Sequence, residues 1–192
     1  MSEAESRYDV VAIGASAGGV NALISIVQAL PASFAPAMLV VMHVSPERAS
    51  SLAGLLNEHC ALPVAEALDK QPIEAGTVTL APAGYHMLVE PERCISLSFD
   101  EPVLFSRPAI DPTFESASLA YRERLLAVLL TGASADGTAG AASVRSHGGT
   151  LWIEDPSTAH AATMPESALR AVGADAVVPL GQIGPMLAGL AR

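Results

Sequence analysis

The sequence predicts an α/β protein: a doubly wound, mostly parallel sheet flanked by helices, with an antiparallel hairpin at one edge. Three observations point there. Short β-branched apolar runs recur along the 192 residues, and segments with apolar residues at helical spacing alternate with them. Hydrophobic residues make up 51% and charged residues only 16%, as expected for strands covered on both faces. Fifteen Gly and fourteen Pro punctuate this content into many short elements. Such a composition is the opposite of a disordered one. The length fits one domain, 1–192, able to bury about 70% of its unfolded surface without staples.

The elements follow in order. Residues 8–13 (YDVVAI) form a buried strand ending at Gly14. Residues 20–30 place Val20, Leu23, Ile24, Val27 and Leu30 on one helical face, stopped by Pro31. Residues 37–43 (AMLVVMH) are a second buried strand, and Ser45-Pro46-Glu47 opens a helix to about His59. Strand, helix, strand, helix implies parallel pairing with right-handed crossovers. Between residues 64 and 99 the runs TVTLAP, YHMLVE and CISLSF, parted by Pro, Gly and charges, read as the hairpin region. Residues 102–112 read as a loop and 113–122 as a helix. The βα rhythm then returns with strand 125–130 (LLAVLL), a Gly-rich turn, a helix to about Ser146 and strand 150–153. A helix at 165–171, a strand at 176–178 and a last helix from Gly181 complete the chain.

Composition excludes several function classes. Twenty acidic against ten basic residues give a net charge of -10, which makes nucleic acid an unsuitable partner. Cys60 and Cys94 have neither metal-ligand spacing nor the numbers for a disulfide framework. From Val10 to Pro46 charge is nearly absent, but Gly14, Gly18, Gly19, Asn21, Gln28, Pro31 and Pro36 cut the stretch, so no membrane insertion is expected. The acidic, polar start is unlike a secretory signal, and a cytoplasmic location is expected.

The first strand–helix junction reads Gly14-Ala15-Ser16-Ala17-Gly18-Gly19. A dinucleotide fingerprint would need glycine where Ser16 stands. The same residues satisfy G-x-S-x-G between a strand and a helix, the context of a nucleophile elbow. The plain alternative for Ser16 is a helix N-cap. A serine hydroxyl needs a base, and His43 ends the neighbouring strand at the same sheet edge. The base needs an orienting acid, and Asp136 lies in the small-residue loop TGASADG after strand 125–130. Alone, His43 would read as structural and Asp136 as a turn residue. On three loops at the carboxyl edge of one sheet they form a coherent Ser-His-Asp set. Their order differs from the Ser, Asp, His of the α/β-hydrolases.

GASAGG, MHVSP, APAGYHM, SRPAID, LLTGASADG and EDPSTAHAATMPESAL, in this order, resemble the catalytic domain of chemotaxis protein-glutamate methylesterases of the CheB type. The resemblance runs from about Tyr8 to the C-terminus. It implies hydrolysis of glutamyl γ-methyl esters on methyl-accepting chemotaxis receptors, releasing methanol in adaptation. It places Ser16 as nucleophile, His43 as base and Asp136 as orienting acid, and it implies no metal and no organic cofactor. Amides of Ala17 and Ala133 would receive the oxyanion, and Arg107 and Met164 would border the substrate. Family members commonly carry an N-terminal receiver; here the first strand begins at Tyr8, so no receiver domain is expected, and residues 1–7 are expected to be disordered. Two other readings remain open: glutamine deamidation by the same acyl-enzyme route, and a non-catalytic regulatory or binding module on the same fold.

The chain departs from the family pattern at four positions. Ala17 replaces a Thr, Ala133 and Ser134 stand for Met and Gly, and Thr163 replaces the Gly before Met-Pro. Ser134 raises the question of a backbone position that needs positive φ. His86 reads most simply as structural, and His59, His147 and His160 as structural or solvated. Trp152 reads as core.

Overall fold

The computed structural model describes residues 6–44 and 46–191. Ser45 and most of the expected disordered stretch (residues 1–5) lie outside the described residues.

The first strand, β1 (Val10–Ala15), leads to α1 (Gly19–Val27), β2 (Ala37–Met42) and α2 (Pro46–His59). Next come β3 (Val64–Glu66), β4 (Val78–Leu80), β5 (His86–Val89) and β6 (Ile95–Ser98). The second half contains α3 (Ile110–Tyr121), β7 (Leu125–Leu129), α4 (Thr138–Ser146), β8 (Thr150–Glu154), α5 (Thr163–Val172), β9 (Ala176–Val178) and α6 (Leu180–Ala188). Seven strands form one sheet in the order β3-β4-β2-β1-β7-β8-β9, every pair parallel.

Alternation within each central strand feeds two cores. Val11, Ile13, Met38, Val40, Leu126 and Val128 face α1, α2 and α6, against Leu23, Ile26, Leu56, Ile183 and Leu187. Val10, Ala12, Leu39, Val41, Ala127 and Leu129 face α3, α4 and α5, against Phe114, Val144, Met164 and Ala168. Both faces are buried, which explains why the strands read as unbroken apolar runs and why so few charges suffice. Trp152 is buried in β8, as expected of a core residue.

The antiparallel hairpin is present as a two-stranded sheet of its own, β5 against β6, with Met87, Val89 and Ile95 packed into the α3 side. The run TVTLAP, read with that region, supplies instead β4, an interior parallel strand of the main sheet. Three residues bounded by turns carry no periodicity that distinguishes a parallel from an antiparallel neighbour. The loop expected through Pro112 is also corrected, since α3 starts at Ile110. Pro112 occupies the helix's first turn, where a missing N–H costs nothing. Pro165 does the same in α5, which begins at Thr163 rather than at Pro165.

The sheet order reverses between β1 and β7: the chain winds from β1 to β2 across one face and from β7 to β8 across the other. Ligand sites of open α/β sheets form at the carboxyl ends of the strands at such a switch point. The packing there is close. A Cβ added at Gly14 would lie 2.5 Å from Ile110 Cγ2. Gly14→Ala should therefore destabilise the fold by about 1–3 kcal/mol through overpacking, read as a lower urea midpoint with an unchanged slope.

Candidate active site

Each central strand delivers one polar residue to the switch point. Ser16 follows β1 directly, in a tight turn closed by Gly19 N–H donating to Ser16 O at 2.8 Å. Gly18 adopts φ 82°, and a Cβ there would sit 2.4 Å from His160 Cβ, so both conformation and space call for glycine. The parallel register pairs Ala15 with Met42, and His43 N–H donates to Ala15 O at 3.1 Å. That pairing sets the imidazole beside Ser16, with its side chain 11% exposed. Asp136 lies beyond β7 and is fully buried.

The three side chains form one hydrogen-bonded chain. Ser16 Oγ lies 3.1 Å from His43 Nδ1, and His43 Nε2 lies 2.6 Å from Asp136 Oδ2. Asp136 Oδ2 also accepts Ile110 N–H at 2.6 Å, while Oδ1 accepts Asp111 N–H at 3.0 Å and Gly137 N–H at 2.8 Å. Burial pushes this carboxyl's pKa up, but hydrogen bonds from His43, Ile110 and Asp111 and the electrostatic attraction of the His43 ring outweigh it and hold it below the ordinary value. An acceptor-only carboxylate fixes the imidazole proton on Nε2, which leaves the Nδ1 lone pair facing the serine hydroxyl. The two ring nitrogens thus exchange the partners they have in chymotrypsin-type triads.

The sequence reading brought Ser16, His43 and Asp136 together, and they meet here. It missed the residues that hold Asp136. The first turn of α3, in the SRPAID stretch, donates two backbone amides to the carboxylate. The signal was an acid beside Pro112 in an otherwise apolar run. Asp111 is itself buried, its Oδ1 accepting Gly140 N–H at 2.7 Å. Burial, together with the neighbouring Asp136 and Glu115 charges, raises it from 3.8 to about 6 despite the Gly140 bond. Because its folded pKa exceeds its unfolded one, the folded state holds the extra proton between these values. Stability should fall as pH rises from about 4 to about 6 on account of this group. Asp111→Asn retains an oxygen for Gly140 and should flatten that slope in urea melts across this range.

His86 is structural, as read: buried, its Nδ1 accepts Ala109 N–H at 3.2 Å and its Nε2 donates to Glu101 O at 3.1 Å. It braces the loop that leads into α3. Arg107 stacks over the Phe99 ring at 3.9 Å and donates to Phe99 O and Asp100 O, so its guanidinium serves its own loop. Met164 is fully buried, with its sulfur and methyl packed against Gly132. Among the described residues, the amides of Ala17 and Ala133 have no protein acceptor. Ser134 does not take a positive φ, so the glycine it replaces is not required for backbone conformation, and its Oγ accepts Asp136 N–H at 3.2 Å.

A doubly wound sheet that carries such a chain at its carboxyl edge has the architecture of a serine hydrolase. The sequence profile described as CheB methylesterase matches residues 11–187. A crystal structure of the Thermotoga maritima CheB methylesterase catalytic domain superposes with a TM-score of 0.91 at 34% identity, covering 95% of this chain and 98% of that one. A Symbiobacterium thermophilum protein named protein-glutamate methylesterase/protein-glutamine glutaminase is 43% identical over 174 residues, 91% of this chain and 48% of the relative. A Leptospira interrogans relative, with a provisional name for the same two activities, is 38% identical over 180 residues, 94% of this chain and 93% of its own length. The chain therefore spans about half of the Symbiobacterium relative and nearly all of the Leptospira one. This chain belongs to the CheB methylesterase family.

Among the described residues no helix is long and apolar enough to cross a membrane.

Proposed function

We propose that residues 1–192 act as one catalytic unit, a protein-glutamate methylesterase that removes γ-methyl groups from glutamyl esters on the cytoplasmic helices of methyl-accepting chemotaxis receptors. The observation that carries this reading is the continuous hydrogen-bonded chain from Ser16 through His43 to Asp136. His43 Nδ1 takes the hydroxyl proton as Ser16 Oγ attacks the ester carbonyl. Asp136 holds the ring and balances the imidazolium that forms. The oxyanion is received by the free amides of Ala17 and Ala133, each of the kind whose loss costs about 3–4 kcal/mol of transition-state stabilisation. His43 then protonates the departing methoxide, giving methanol and a glutamyl ester of Ser16. Water, activated by the same imidazole, attacks this acyl-enzyme and restores free serine with a glutamate side chain as product.

Only backbone N–H groups are needed at positions 17 and 133, so the alanines there leave this route intact. Met164 is assigned to support the Gly132 loop beneath the site rather than to touch substrate, and Arg107 to shape the loop before α3. The reaction draws on the protein's own side chains and backbone amides and on water, and it takes place in the cytoplasm, where the receptor helices are exposed.

Deamidation of receptor glutamine would use the same acyl-enzyme, with ammonia in place of methanol as leaving group. The relatives' two-part name supports keeping both products in the test. The experiment incubates the protein with a methylated, glutamine-containing receptor fragment and measures methanol and ammonia together. Methanol in excess is expected. Ammonia in excess would make the protein chiefly a deamidase, and tight binding with neither product would make it a regulatory module.

A further inference from the structure

Thr131 lies two residues beyond β7 and is 1% exposed, and each of its polar groups reaches a different part of the site. Its carbonyl accepts Ser16 N–H at 2.9 Å. Its hydroxyl donates to Ala17 O at 2.8 Å and accepts Ala161 N–H at 2.8 Å. Its amide donates to Glu154 Oε2 at 2.8 Å, and Glu154 is itself fully buried at the end of β8. The neighbouring Gly132 repeats the attachment, its N–H donating to Ala161 O at 3.0 Å and its carbonyl accepting Met164 N–H at 2.9 Å.

The consequence for the chemistry lies in what these bonds leave free. Ser16 N–H is engaged by Thr131, so it cannot serve an oxyanion. The Ser16 amide and the Ala17 carbonyl, on either side of the Ser16–Ala17 peptide, are both tied to Thr131. The Ala17 N–H between them is therefore held in one direction. Two residues after Thr131 comes Ala133, whose N–H likewise has no protein acceptor among the described residues. One residue thus couples the loop after β1, which carries the Ala17 N–H, to the loop after β7, which carries the Ala133 N–H.

We infer that the Thr131 hydroxyl is a positioning group of the esterase site: it sets the direction of the Ala17 amide relative to Ala133, and so the geometry that receives the oxyanion. The hydroxyl touches no reacting atom. It acts through the Ala17 peptide, and this role rests on the esterase reading given above. A preorganised donor acts only where charge develops in the transition state, so its misplacement lowers kcat and leaves ground-state binding alone. Displacements of about 1 Å at such sites cost on the order of 10²-fold in rate.

The test compares wild type, Thr131→Val and Thr131→Ser on a methylated receptor fragment, with kcat and KM measured separately and thermal melting as a folding control. Valine keeps the shape and β-branching but removes the hydroxyl, and serine restores it. The expected result is a fall in kcat of about 10- to 100-fold for Thr131→Val, with KM within about twofold and with Thr131→Ser close to wild type. An unchanged kcat in Thr131→Val overturns the assignment. So does a loss expressed through KM, a Thr131→Ser variant as slow as Thr131→Val, or a Thr131→Val protein that no longer melts cooperatively, because the residue would then be holding the fold or the substrate. Wild-type protein that releases no methanol fails the esterase reading itself, a result separate from any difference among the variants.

Discussion

Ser16→Ala is expected to lower methanol release from a methylated receptor by about 10⁶-fold, leaving only what the oxyanion donors and substrate binding give over water. The size of the effect follows from geometry. Ser16 Oγ is the atom that His43 Nδ1 faces at 3.1 Å, so its loss removes the covalent route rather than weakening it. The fold should survive. Ser16 is only partly buried, its amide bond to Thr131 O uses the backbone, and removing the hydroxyl leaves no donor stranded in a dry core. Receptor affinity should stay near that of wild type. The check is a single-turnover methanol assay beside a binding measurement on the same protein. A variant that keeps even about a tenth of wild-type turnover would place the nucleophile elsewhere.

Asp136→Asn should be nearly as damaging to rate, by about 10⁴-fold, and should destabilise the protein as well. The carboxylate receives four N–H donors, two on each oxygen: His43 and Ile110 on Oδ2, Asp111 and Gly137 on Oδ1. An amide in its place turns an NH₂ toward one pair. If it faces His43, the ring must carry its proton on Nδ1, where it cannot accept the serine proton. If it faces Asp111 and Gly137, two buried amides lose their acceptor, at about 1–3 kcal/mol each. A further consequence concerns pH. Because the folded-state pKa of Asp136 is depressed, its contribution to stability is present above the ordinary carboxylate value of 3.8 and is lost as pH falls through the lower folded value. Asp136→Asn should lose that acid-side term. Measurements of kcat at neutral pH and of urea stability down to about pH 3 test both halves.

The sheet and the meeting of Ser16, His43 and Asp136 were legible in the sequence because both leave strong local marks. Strands buried on two faces are unbroken apolar runs, and G-x-S-x-G at a strand–helix junction is a specific pattern with a steric reason. His43 and Asp136 could be joined to Ser16 because a parallel sheet delivers the ends of all its strands to one edge. What escaped notice depends on partners far apart in sequence. β4 reads like a hairpin strand until β2 and β3 are seen on its two sides. The start of α3 was set three residues late by a proline that a first helical turn tolerates, and with it went the two amides that hold Asp136. The Arg107 guanidinium lies on the Phe99 ring and bonds the carbonyls of residues 99 and 100, partners that nothing in the local sequence announces. Thr131 lies within the LLTGASADG motif but was given no role there, and its importance is visible only from the loops that meet on it.

Covalent catalysis by Ser16 is the claim on which the rest depends, and a fluorophosphonate serine probe tests it most directly. Intact mass and peptide mapping of the treated protein should find one adduct, on Ser16, formed more slowly when a methylated receptor fragment is present. It should be absent from Ser16→Ala and strongly slowed in His43→Ala. No adduct on a folded protein that still releases methanol, or a protected adduct on a different serine, would contradict it.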